Sequence, residues 1–190
     1  DTLTSLNTGP LRSLNGGPST GYIENLFIQP GCLSFSDTLL LIAPDWDCGN
    51  VMFYMLGWGH TILDMAAMSC QFLDLNDGAA EIQSWPAQVK DIHVDGYGID
   101  YFPPWPSTLR DLSLYLTQNA CLPMFPNELR HLNAAFVDCI PNVPDSLEWA
   151  TGNFIQGGDT LVCSIINSEC PGSAAAIAGR HVIDSNANGQ

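Results

Sequence analysis

The sequence predicts a solenoid of short repeats, mainly-β or α/β in type. It is expected to have a narrow parallel sheet on one side, an extended proline-rich back and an N-terminal cap. Three observations predict it. Apolar–proline pairs recur at Trp85-Pro86, Trp105-Pro106, Phe125-Pro126 and Val143-Pro144, so that successive prolines stand 20, 20 and 18 residues apart. An apolar triplet with L-x-x-L-x-L spacing follows the first three pairs: Val89, Ile92, Val94, then Leu109, Leu112, Leu114, then Leu129, Leu132, Ala134. A second apolar cluster precedes each pair, at Ile82, Phe102-Pro103, Leu122-Pro123 and Ile140-Pro141.

Each half of the unit has a physical reading. The last two apolar residues of the triplet are two apart, which puts both on one face of a short strand. The first points inward at the strand entry. Proline cannot donate to a ladder or sit inside a helix, so the Φ-P-x-Φ-P half (Φ apolar) is extended. A strand out and an extended return make one coil, which buries its apolar edge only against stacked neighbours. A weaker earlier copy is Cys70, Leu73, Leu75, and a later start, Leu147-Glu148-Trp149-Ala150, decays.

In chain order, residues 1–68 read as an N-terminal cap with degenerate repeats. Asp1 to Ser19 is rich in Gly, Ser, Thr and Asn and reads as loop or a loose edge. Ile23 to Ile28 and Leu39 to Ala43 read as strands. Val51 to Trp58 reads as a strand rather than a buried helix, from its length and aromatics. A separate small β-domain is the alternative for this part. Residues 69–155 hold the repeats, 156–176 a C-terminal cap with Cys163 and Cys170, and 177–190 a linker or the start of a following domain.

These motifs resemble a known family. Residues 70–155 look like a bacterial leucine-rich repeat of about twenty residues with an L-P-x-L-P return. The form with Cys before the return, as in Cys121-Leu122-Pro123 and Cys139-Ile140-Pro141, is similar to surface and secreted proteins of Bacteroidetes. The final stretch, from Ile177 to Gly189, resembles the opening strand of a prealbumin-like B-repeat of bacterial adhesins. In that family the D-x-N-x-N-G loop binds calcium through alternate side-chain oxygens. The resemblance implies metal ligands at Asp184, Asn186 and Asn188, with calcium bound only when the following domain is present. It also implies a longer modular surface protein of which these residues are the N-terminal piece.

Composition narrows the function. Charged residues are 13% of the chain, and 20 acids against 5 bases give a net charge of −15. Such a chain repels nucleic-acid phosphates and anionic lipid, so neither is an expected partner. No apolar run approaches the ~20 residues that span a bilayer, so no membrane insertion is expected. Seven cysteines without a C-x-x-C pair disfavour a zinc ribbon and point to an exported protein. Cys163 and Cys170 are expected to form a local disulfide. Cys121 and Cys139 align one coil apart, as either a disulfide or a buried thiol stack. Asp1 follows no Met and no leader, which reads as a mature or trimmed product.

No hydrolase, nucleotide-binding or zinc-protease motif occurs. Asp45 with Asp47, or Asp74 with Asp77, could be drawn as a glycosidase carboxylate pair, and Cys139 with His131 as a nucleophile dyad. In so acidic a chain such pairs carry little information, and no enzyme is expected. The strand face is more informative. The residues between the buried ones point out to the concave surface, and the candidate ligand-binding set is Asp74, Asp91, His93, Asp95, Ser113, Tyr115, His131 and Asn133.

Two columns carry alternative readings. Lys90, Arg110 and Arg130 share one repeat position, as a flank neutralised by Asp91, Asp111 and Glu128 or as an anion-binding stripe. Trp85, Trp105 and Phe125 share another, as a core ladder or a sugar-stacking platform. The expected function is a secreted or cell-surface module that binds protein or glycan at the concave face, without catalysis. The alternatives are a structural subunit or spacer of a larger surface assembly, and a secreted hydrolase with an acidic site in the N-terminal part.

Overall fold

In a computed structural model of the chain, the described residues are 2–3, 6–11, 22–30, 38–43, 45–54, 60–76, 80–96, 99, 102–116, 122–137, 139–156, 159–160 and 162. Among them the secondary structure is all strand, with no helix. The strands are β1 (Thr2–Leu3), β2 (Leu6–Leu11), β3 (Tyr22–Pro30), β4 (Thr38–Ile42), β5 (Asp47–Tyr54), β6 (His60–Asp64) and β7 (Phe72–Asn76). They continue as β8 (Ala80–Ser84), β9 (Asp91–Gly96), β10 (Asp111–Leu116), β11 (His131–Ala135), β12 (Trp149–Gly152), β13 (Ile155–Gln156) and β14 (Asp159–Thr160). Of the two expected classes, the mainly-β solenoid is the one the chain adopts.

One parallel sheet forms the front, in the order β3-β5-β7-β9-β10-β11-β12, with β1 and β2 both against β3. The rungs from β5 onward are in continuous register: Val51 beside Leu73, then Ile92, Leu112, Leu132 and Ala150. Ile23 and Leu26 of β3 continue the same columns beside Cys48 and Val51. The triplet thus begins earlier than its prolines. Ile23, Leu26, Ile28 and Cys48, Val51, Phe53 are buried as completely as Leu109, Leu112, Leu114.

The three-residue step inside each triplet has a specific backbone cause. The two residues between the first and second apolar positions both donate their N–H to a single carbonyl of the preceding rung. Lys90 and Asp91 share Gln71 O, Arg110 and Asp111 share Lys90 O, Arg130 and His131 share Arg110 O, and Glu148 and Trp149 share Arg130 O. Two consecutive side chains therefore stay outside, and the apolar residue on each side of them turns in. The turn before each triplet is also repeated. Leu109, Leu129 and Leu147 donate to the carbonyls of Pro106, Pro126 and Pro144, each at 3.1 Å.

The back differs from the expectation over its first half. It is not proline-rich there but a three-stranded parallel sheet, β4-β6-β8. These strands contain no proline, so every residue keeps its N–H and can pair. At Phe102-Pro103-Pro104-Trp105-Pro106 the donors vanish and the back becomes extended without a ladder. Side chains then tie the coils. Trp85 Nε1 donates to Pro103 O and Trp105 Nε1 to Pro123 O, both at 3.2 Å. Asn142 closes the last such link, its Oδ1 accepting from Phe125 N at 2.7 Å and its Nδ2 donating to Phe125 O at 3.1 Å. The indoles are a buried ladder rather than a sugar platform, with Trp85 and Trp105 stacked at 5.1 Å and Trp105 tilted against Phe125 at 6.3 Å.

After β12 the chain closes with the antiparallel pair β13–β14 and the fully buried Phe154. Gly152 makes that closure possible. Its φ is +153°, and a Cβ there would lie 2.1 Å from Ala134 O. Cys48 and Cys70 are free, buried thiols in one inward column. Cys121, Cys163 and Cys170, and the expected pairings through them, lie outside the described residues, as does the 177–190 segment.

The front column from Val51 to Leu132 is buried along its whole length. Leu112→Ala is expected to lower the unfolding free energy by about 2–5 kcal/mol in urea titration. Met124→Ala, at a position 59% exposed, is expected to stay within about 0.5 kcal/mol.

Candidate ligand-binding face

The outward side chains of the front sheet form columns set by the strand register. In the column between the two innermost apolar positions, Met52 stands beside Asp74, Asp74 beside His93, His93 beside Ser113 and Ser113 beside Asn133. In the column at the strand entry, Phe72 stands beside Asp91, Asp91 beside Asp111, Asp111 beside His131 and His131 beside Trp149. The third column places Asn76, Asp95, Tyr115 and Ala135 in sequence. The face mixes amide and apolar side chains at the early rungs (Asn25, Asn50, Phe27, Met52), is acidic in the middle and carries its histidines on β9 and β11.

The strand register sets most of the candidate residues side by side. His131 Nδ1 is hydrogen-bonded to Asp111 Oδ1, and its Nε2 lies 3.8 Å from Glu148 Oε2. His93 Nδ1 lies 3.8 Å from Asp74 Oδ1, beyond hydrogen-bond reach. Asn133 Nδ2 donates to Tyr115 Oη at 2.6 Å, and the Tyr115 ring is tilted against His93 at 5.5 Å. Ser113 sits between His93 and Asn133 in the same column. Asp95 is exposed near the end of β9. Two polar atoms are left over: Asp74 Oδ1 and His93 Nε2 are buried without a hydrogen-bond partner. Buried polar atoms are nearly always paired, so these two call for an account.

Asp91 is under electrostatic load. Burial first, then the Asp111 carboxylate, pushes its carboxyl above the ordinary value; His93 opposes the rise and Asp74 adds to it. The expected compensation from the basic column is not made. Lys90 and Arg110 have no carboxylate within ion-pair distance among the described residues, and Arg130 reaches Glu148 at 3.7 Å instead of Asp111 or Glu128.

Glu148 and Trp149 were not among the expected site residues. Their rung looks decayed because Ala150 and Gly152 replace the leucines, although the spacing from Leu147 is intact. Met52 was missed for a similar reason, since its coil has no aromatic–proline pair three residues ahead of the triplet, Pro44 standing four ahead of Cys48.

Other candidates are dispersed. Asp45 and Asp47 are exposed at the entry to β5, and Asp77 lies outside the described residues. His131 turns its nitrogens to Asp111 and Glu148, so no dyad with Cys139 forms. Cys48 and Cys70 are raised to about 12, chiefly by burial, which makes them poor nucleophiles. Among the described residues no group of three or more His, Cys, Asp or Glu could hold a metal ion. Asp184, Asn186 and Asn188 are outside those residues. No described helix is long and apolar enough to cross a membrane. No protein-family model matches the chain, and no curated protein or solved structure does either.

The raised Asp91 carboxyl fixes the sign of a pH effect. The folded chain holds that proton more tightly than the unfolded chain. The charged form therefore costs stability at neutral pH, and the cost disappears as pH falls through the folded value and then the ordinary one. Asp91→Asn is expected to raise the unfolding free energy at neutral pH by no more than about 1 kcal/mol. The difference from wild type should fade below about pH 4, as measured by denaturant unfolding across pH.

Proposed function

We propose that this chain is a non-catalytic recognition module, exported or displayed at a cell surface, that binds a protein or glycan on the outward face of rungs β7 to β11. The observation that carries the reading is the pair of unpartnered buried atoms on that face, Asp74 Oδ1 and His93 Nε2. The face pairs His131 with Asp111 and Asn133 with Tyr115 across neighbouring rungs but leaves these two atoms short of a partner. A bound group that both donates and accepts would complete them after small rotations of the carboxylate and the imidazole. Tyr115, Asn133, Ser113 and Asp95 supply further hydrogen-bonding and aromatic contacts along the adjacent rungs. The cysteine-rich, acidic composition supports export. Fold alone does not assign a ligand.

A second reading has its own support. Met124, Phe136 and Trp149 are exposed large side chains near the last rungs, at 59%, 61% and 52%. Among the described residues β12 ends the sheet. Both features suit a subunit that assembles through its C-terminal end.

The two readings differ in a binding screen against immobilised oligosaccharides and surface proteins. The triple variant His93→Ala, Tyr115→Ala, Asn133→Ala is expected to lose at least about tenfold in affinity for whatever the wild type captures. Unchanged capture by a folded triple variant would remove the outward face as the site and leave the assembly reading.

A further inference from the structure

We infer that the outward face takes an extended polypeptide segment bearing arginine or lysine, laid across rungs β7, β9 and β10. This rests on the reading of that face as a binding site and names its ligand class.

Charge complementarity carries the choice. Four carboxylates, Asp74, Asp91, Asp95 and Asp111, project from three consecutive rungs. Asp91 and Asp111 are direct register neighbours, about 4.8 Å apart at strand spacing. Among the described residues no lysine or arginine comes within ion-pair distance of any of the four. The cations closest in sequence, Lys90 and Arg110, are exposed and immediately precede Asp91 and Asp111 at the strand entries. Neither cation pairs with them; Asp111 has the His131 imidazole as a hydrogen-bond partner and Asp74 has His93 Nδ1 at 3.8 Å, which leaves Asp91 and Asp95 without a basic neighbour in ion-pair reach among the described residues.

Two further features fit a cation better than a neutral group. Aromatic rings alternate with the carboxylates, Phe72 beside Asp91 and Tyr115 beside Asp95. A guanidinium can lie on such a ring while its N–H groups reach the adjacent carboxylate. The unpartnered Asp74 Oδ1 is an acceptor one rung away. The load on Asp91 fits this reading, because a cation bound beside it relieves the Asp91–Asp111 repulsion.

The test uses the whole chain and a short acetylated, amidated peptide of alternating arginine and glycine, with binding followed by calorimetry. The peptide is expected to bind more weakly as salt rises. The double variant Asp91→Asn, Asp111→Asn should bind it at least about tenfold more weakly. Asp95→Asn, at an exposed strand end, should lose about twofold to threefold and stands in if the double variant fails to fold. The control Glu128→Gln, Asp145→Asn removes the same charge from exposed turns and should stay within about twofold of wild type.

Equal losses in the control and the face variants would overturn the inference, because the peptide would then be sensing net charge alone. Wild-type affinity in the double variant would do the same. Capture of a neutral oligosaccharide that His93→Ala, Tyr115→Ala, Asn133→Ala abolishes, with no binding of the arginine peptide, would sink the cationic ligand while leaving the face as the binding site.

Discussion

A parallel sheet has no hairpins, so every ladder bond of the front joins residues about one coil apart in sequence. No coil can close on itself, and each is stabilised only when the next one stacks. The sharing of one carbonyl by two N–H groups at each strand entry sets the terms of that stacking. It spends two residues on the outside for one step along the rung. The first apolar residue is thereby returned to the interior three positions before the second. Everything else follows from this spacing: the three inward columns, the adjacent outward pair at every entry, and the side-by-side placement of like residues from successive repeats.

The back obeys a looser rule. It must be extended and must present one apolar residue inward, as Leu41, Leu63, Ile82, Phe102 and Ile140 do. Two solutions coexist in one chain. Where amide donors are available the back pairs as β4-β6-β8. Where prolines remove them, indole and asparagine side chains make the links from coil to coil. A proline-bearing back shows fewer free N–H groups to solvent or to another chain, which blunts edge pairing. The aromatic stack fills the space with apolar area that the missing ladder leaves unsupported.

The later coils were legible because prolines and leucines mark them together. Leu109, Leu112 and Leu114 occupy the positions their spacing demands, and the outward set from Asp74 to Asn133 follows from the same register. The earlier coils share the apolar triplet but not the aromatic–proline pair three residues ahead of it. Ile23, Leu26, Ile28 and Cys48, Val51, Phe53 are therefore invisible to a search anchored on prolines and plain to one anchored on the triplet. The β4-β6-β8 sheet was hidden for the same reason. Partnering on the face was less legible than placement. Sequence puts Asp111 and His131 in one column, but which of Asp111, Glu128 and Glu148 a given cation reaches depends on side-chain direction and on the last described rung, β12. The calcium-like motif at Asp184, Asn186 and Asn188 lies outside the described residues.

The middle of the face sets stacking against solvation. A solenoid repeats its neighbours, so an acidic residue in one coil tends to meet an acidic residue in the next, as Asp91 meets Asp111. At strand spacing that repulsion is modest in water and grows as burial lowers the effective dielectric. The same chain shows how easily the conflict is avoided, since Asp111 meets His131 one rung later and forms a hydrogen bond. Asn50 likewise donates to Asn25 at 2.8 Å two coils earlier. Complementary neighbours at Asn25–Asn50 and Asp111–His131 flank a like-charged step at Asp91–Asp111, in the column beside the unpartnered Asp74 and His93. The electrostatic cost and the unpaired polar atoms thus fall on neighbouring rungs, β7 to β10, and it is this coincidence on which the proposed binding face rests.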